Sequence, residues 1–190
     1  MTATNLLQRS LEEHLQAIQD LLKSQVSEIE RAGDLICKTL SQGHKILICG
    51  NGGSAADAQH IAAELVGRYE SERRAWPAIS LTTDTSALTA LSNDYGYDEV
   101  FARQVRAHAV EGDLLLALST SGASPNVIRA VQVARELGCK TLGLTGGNGE
   151  PLASLCDLAV VVRSPRTARI QEAHITIGHL WCELVDANLC

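Results

Sequence analysis

The chain is predicted to fold as a doubly wound α/β structure around a parallel sheet of about five strands. Five short apolar runs, "KILICG" (45–50), "AISL" (78–81), "DLLLALS" (113–119), "KTLGLTG" (140–146) and "LAVVV" (158–162), recur along it. They are apolar on both faces, as strands covered by helices on each side are. Most are bounded by Gly, Asp, Ser or Pro, and the segments between them carry apolar residues at helical spacing.

Two helices precede the first strand. Leu6, Leu7, Leu11, Leu15, Ile18, Leu21 and Leu22 form an apolar stripe from Asn5 to about Leu22, and a second helical stretch runs from about Val26 to Leu40. Residues 1–42 are expected to form a helical hairpin at a subunit interface, because the stripes have no obvious target on their own sheet. Residues 43–190 would form the α/β core of a single domain. A polar stretch, "YESERRAW" (69–76), is expected to be a surface loop, and an amphipathic helix from about Ala168 to Leu189 closes the chain.

Composition narrows the function. The 190 residues are 45% hydrophobic, enough for a sizeable core, and 16 Lys and Arg against 22 Asp and Glu give a net charge of −6. That balance excludes the basic footprint of a nucleic-acid binder. One Phe, two Trp and three Tyr leave few platforms for stacking bases. No apolar run approaches a membrane span and no signal peptide opens the chain, so a cytoplasmic protein is expected. The six scattered cysteines, Cys37, Cys49, Cys139, Cys156, Cys182 and Cys190, form no CxxC pair and are expected to be reduced core residues.

In open parallel sheets, ligands bind beyond the carboxyl ends of the strands. The first strand ends in Gly50-Asn51-Gly52-Gly53-Ser54, where glycines permit positive φ and close backbone approach. It is neither a dinucleotide fingerprint nor a P-loop, since no Lys follows. The third strand ends in Ser119-Thr120-Ser121-Gly122-Ala123-Ser124-Pro125-Asn126 ahead of a helix. Capping needs one hydroxyl, whereas four hydroxyls at a helix N-terminus suit a phosphate dianion. Without a lysine, that phosphate is expected on a small molecule rather than on a metal–nucleotide complex.

His60 and Glu64, four residues apart on the helix after the glycine turn, share a face and could bind a metal or act as acid and base. The last helix offers Gln171, Glu172, His174 and His179, and spacing alone does not choose among them.

"CGNGGSAADAQH…E", "TTDTS…ND", "STSGASPNVI" and "ARIQEAH…H", in this order and over nearly the full length, resemble the sugar isomerase (SIS) domain superfamily and, within it, the bacterial phosphoheptose isomerase family. The resemblance implies a flavodoxin-like fold, a homotetramer with sites where subunits meet, and conversion of D-sedoheptulose 7-phosphate to D-glycero-D-manno-heptose 7-phosphate in ADP-heptose and lipopolysaccharide supply. It implies phosphate contacts at Ser119, Thr120, Ser121 and Ser124, and sugar contacts at Asn51, Gly52, Gly53, Asn93 and Asp94, with Glu64 and Gln171 also on the substrate. It further implies one zinc ion per subunit on His60, Glu64, Gln171 and His179, with Glu64 and His179 catalytic. A related branch binds the replication initiator without catalysis, but this chain keeps Glu64, His179, Gly53 and the full "STSG" loop, where that branch departs. Isomerisation of another phosphosugar is the remaining alternative.

Overall fold

The computed structural model describes residues 2–189. Helices α1 (Ala3–Ser24) and α2 (Val26–Ser41) lead into β1 (Ile46–Cys49), α3 (Gly53–Val66) and β2 (Ala78–Ser80). Then come α4 (Thr85–Tyr95), α5 (Val100–His108), β3 (Leu114–Ser119), α6 (Pro125–Glu136), β4 (Lys140–Gly146), α7 (Leu152–Leu155), β5 (Leu158–Val162) and α8 (Thr167–Leu189).

The five strands pair in parallel in the order β2-β1-β3-β4-β5. The period-2 alternation divides the core into two layers. Ile46, Ile48, Leu114, Leu116, Leu118, Leu142 and Leu144 face α2, α3 and α8, where Ile36, Leu40, Ile61, Ile177 and Trp181 pack. Leu47, Cys49, Leu115 and Ala117 face α5 and α6, meeting Phe101, Val105, Val127 and Val131. Because the chain leaves β1 in opposite directions toward β2 and β3, the topological switch point lies between the ends of β1 and β3.

Two expectations change. Helix α2 does have a target on its own sheet: Ile29, Ala32, Ile36 and Leu40 are buried in the first layer. Helix α1 buries only Ala17 and Leu21, and Leu6, Leu7, Leu11, Leu15 and Leu22 are each more than half exposed. The polar segment 69–76 is a loop, but not merely a surface one. The Arg73 side chain is 1% exposed and pairs with Asp186 at 2.7 Å, and Trp76 is buried. Arg73 is drawn inward because it donates to the carbonyls of Glu64 (2.8 Å) and Leu65 (3.0 Å), which the C-terminus of α3 leaves without intrahelical partners.

Cys37, Cys49, Cys139 and Cys182 are buried free thiols and Cys156 is half-buried; Cys190 lies outside the described residues. Burial pushes the Cys156 and Cys182 thiols up to about 12, so both stay protonated. Among the described residues, no helix is long and apolar enough to cross a membrane.

Candidate active site

The glycine turn after β1 is shaped by two glycines for different reasons. Gly52 precedes α3 with φ at 55°, a left-handed value that side chains disfavour. A Cβ on Gly53 would meet the amide of Gln171 on α8 at 2.1–2.4 Å. Gln171 thus lies directly on the start of α3, and a side chain at position 53 would displace its amide.

Between them and β1, Asn51 is fixed by three hydrogen bonds. Its amide exchanges reciprocal bonds with the buried amide of Asn126 on α6 (2.8 and 2.9 Å), and the Tyr97 hydroxyl donates to its Oδ1 (2.9 Å). These contacts tie the β1 turn to the β3 loop across the switch point. Asn126 and Tyr97 were not singled out from the sequence, because an Asn at a helix start and a Tyr in a Gly-rich turn have ordinary local explanations.

In the loop after β3, Ser119 Oγ lies 2.9 Å from Ser124 Oγ and 3.4 Å from Ser121 Oγ. Ser124 occupies the N-cap of α6 with extended backbone, but its side chain makes no capping bond. Capping therefore consumes none of the four hydroxyls. Ser119 is buried at the base, Thr120 and Ser124 are half-buried, and Ser121 is exposed, so the hydroxyls form a graded cup at the positive end of a 12-residue helix.

The third part comes from α3 and α8, which run in the same direction. Gly53 lies against Gln171 near their starts, and a Cβ on Gly178 would meet Ile61 at 2.8 Å further along. That register sets His60 beside His179. His60 Nε2 is 3.1 Å from His179 Nε2 and 3.1 Å from Glu64 Oε1. The His60 side chain is 48% exposed and that of Glu64 24%. His60 Nε2 holds at most one proton, so it can donate to only one of these two neighbours.

The donor set suits zinc: two imidazoles and a carboxylate are common ligands, and 3.1 Å approximates the ~3.3 Å edge of a tetrahedron with bonds of about 2.0–2.1 Å. Among the described residues no group of three His, Cys, Asp or Glu side chains is already gathered as a metal cage. The arrangement is a chain with His60 in its middle, and its hydrogen bonds do not extend to Gln171.

His174 sits elsewhere. It is fully buried, with Nε2 3.0 Å from the carbonyl of Thr145 on β4. A carbonyl only accepts, so Nε2 carries the proton. Desolvation pushes its pKa down to about 4, against a smaller opposing effect of that hydrogen bond, and its Nδ1 has no partner. Glu172 turns away from the cluster toward His14 and Arg169. Asn93 and Asp94 are exposed on the last turn of α4, where they hydrogen-bond each other at 2.9 Å. Asp57, one turn before His60, was unforeseen. It is buried with one oxygen unpartnered, and desolvation raises its carboxyl to about 6 despite the opposing effect of His60.

Residues 11–146 match the SIS domain family. The chain is 57% identical over 176 residues to the phosphoheptose isomerase of Aliarcobacter butzleri, covering 93% of each chain. The structure of phosphoheptose isomerase GmhA from Neisseria gonorrhoeae superposes with a TM-score of 0.93 at 45% identity, covering 98% of this chain and all of that one. A phosphoheptose isomerase from Francisella tularensis gives 0.96 at 37% identity, covering 99% of this chain and all of that one. With its fold, glycine turn, hydroxyl cup and imidazole–carboxylate cluster, this chain belongs to the phosphoheptose isomerase family of SIS-domain proteins.

Proposed function

We propose that the chain is an aldose–ketose isomerase that converts D-sedoheptulose 7-phosphate to D-glycero-D-manno-heptose 7-phosphate through an enediol. The observation that carries this reading is a hydroxyl cup free of capping duty after β3, tied through the Asn51–Asn126 amide pair to the glycine turn that starts α3, the helix whose His60 and Glu64 meet His179 in an acid–base cluster. Ser119, Thr120, Ser121 and Ser124 would take the phosphate, and the sugar chain would run past Asn51, Gly52, Gly53 and Gln171 toward Glu64. Asn93 and Asp94 would contribute to the sugar site as well.

Isomerisation moves one proton between C1 and C2 and another between O1 and O2. Glu64 removes the C1 proton while His179 donates a proton to O2, giving the enediol. His179 then takes the proton from O1, and the Glu64 carboxyl returns its proton to C2. His60, within 3.1 Å of both groups, holds their spacing. Zinc on His60, Glu64, Gln171 and His179 would, when bound, polarise the C2 carbonyl and C1 hydroxyl.

A homotetramer with sites at subunit contacts is part of this proposal. The exposed leucines of α1, the absence of any buried residue in α4 and the half-exposed His60 all support coverage by neighbouring copies. So is a cytoplasmic enzyme opening ADP-heptose supply to lipopolysaccharide. The test is turnover of sedoheptulose 7-phosphate by the purified protein, before and after chelation and zinc addition. Turnover lost on chelation and restored by zinc is expected. No turnover from a folded oligomer under either condition overturns the activity, and turnover insensitive to chelation overturns the zinc.

A further inference from the structure

We infer that Thr145 and His174 are positioning residues that hold the hydroxyl loop in its anion-accepting shape. The inference rests on the reading of that loop as a phosphate site. The Ser119 carbonyl accepts two hydrogen bonds. One, from the Gly122 N–H at 3.1 Å, closes the turn; the other, from the Thr145 hydroxyl at 2.8 Å, anchors it to β4. Ser119 and Thr145 are register partners at the ends of β3 and β4, so the anchor is set by the sheet itself. The Thr145 carbonyl in turn accepts from His174 Nε2 on α8. Sheet, loop and last helix are thereby joined by two successive buried bonds.

The consequence follows from peptide planarity. Fixing the direction of the Ser119 carbonyl fixes the plane of the peptide that begins the Thr120–Ser121 turn. It also fixes the Ser119 backbone from which Oγ reaches Ser124 and Ser121. If the Thr145 hydroxyl is removed, the buried carbonyl keeps its turn bond but loses its anchor, and the cup loosens without losing any of its own donors.

Thr145→Val keeps the shape of the side chain and removes the donor, whereas Thr145→Ser keeps the donor. The probes are the KM for the sugar phosphate, the inhibition constant of inorganic phosphate, kcat and the melting temperature, with Ser121→Ala as a direct test of the loop. Thr145→Val is expected to raise KM and the phosphate inhibition constant together by about 3- to 10-fold, with kcat within about twofold, as loss of one neutral hydrogen bond allows. Thr145→Ser should restore both. His174→Gln, which keeps an N–H, should lie nearer the wild type than His174→Ala. If Ser121→Ala weakens phosphate inhibition and Thr145→Val changes only the melting temperature, the positioning role is overturned. If neither variant moves phosphate inhibition, the phosphate reading falls and this inference with it.

Discussion

The hydroxyl loop and the imidazole–carboxylate cluster are held in place by different means. The loop is braced locally: its base is buried, its serines contact one another, and its backbone is bonded to the adjacent strand. The cluster consists of side chains on two long helices, partly open to solvent, and its alignment depends on contacts elsewhere along α3 and α8. One such contact is the buried Arg73–Asp186 pair. Burial alone would raise the Asp186 carboxyl, but hydrogen bonds from the Ser71 N–H, Arg73 and the Glu70 N–H outweigh it and hold it below its ordinary value. Binding should therefore tolerate remote disturbance better than chemistry does.

The largest expected effect isolates the cluster. Glu64→Gln should lower kcat by about 10²–10⁴-fold while leaving phosphate inhibition nearly unchanged. Retained turnover in steady-state assays would remove Glu64 from the role of base. Next, Asp186→Ala leaves Arg73 buried without its partner and should cost about 3–5 kcal/mol of stability, read from denaturant midpoints. Its kcat should fall more than its phosphate affinity; an equal loss in both would erase the distinction between the two regions. Ser121→Ala should do the reverse, raising KM by about 3- to 10-fold with little change in kcat, since its donor serves ground and transition states alike. A kcat effect larger than the KM effect would contradict that placement.

The smallest effect is a pH dependence. His174, with its pKa lowered from 6.5 to about 4, stays neutral in the native state while the unfolded chain binds a proton, so it costs stability as pH falls through that window. Asp57, raised from 3.8 to about 6, takes its proton first in the native state and adds stability as pH falls from 6. The two contributions oppose each other between about pH 6 and 4. Asp57→Asn should uncover the His174 slope, at most about 1.4 kcal/mol per pH unit. Parallel stability–pH curves for the wild type and this variant would show that Asp57 is not raised.

What could be read from the sequence was what repeats or clusters locally. Apolar runs on both faces announced the parallel strands, and four hydroxyls before one helix announced the cup. The i,i+4 spacing placed His60 and Glu64 on one face. Tertiary pairing was not legible in the same way. His174 and His179 look alike in sequence, and only the register of α8 against α3 sends one into the core beneath β4 and the other to His60. Arg73 sits in a polar run and reads as solvated until the open carbonyls of α3 are found above it. Asn126 and Tyr97 become site residues only because the fold brings the start of α6 and the turn after α4 to one asparagine.

The close approach at Gly178 makes the two helices a gauge. Ile61 fills the space where a Cβ would stand, so the gap separating the histidines is metered by a missing methyl group rather than by the histidines themselves. Position 178, next in sequence to His179, is thus a tuning screw that acts through the helix backbone. A single added carbon there would press on Ile61 and widen the spacing of the reacting groups without altering any of them.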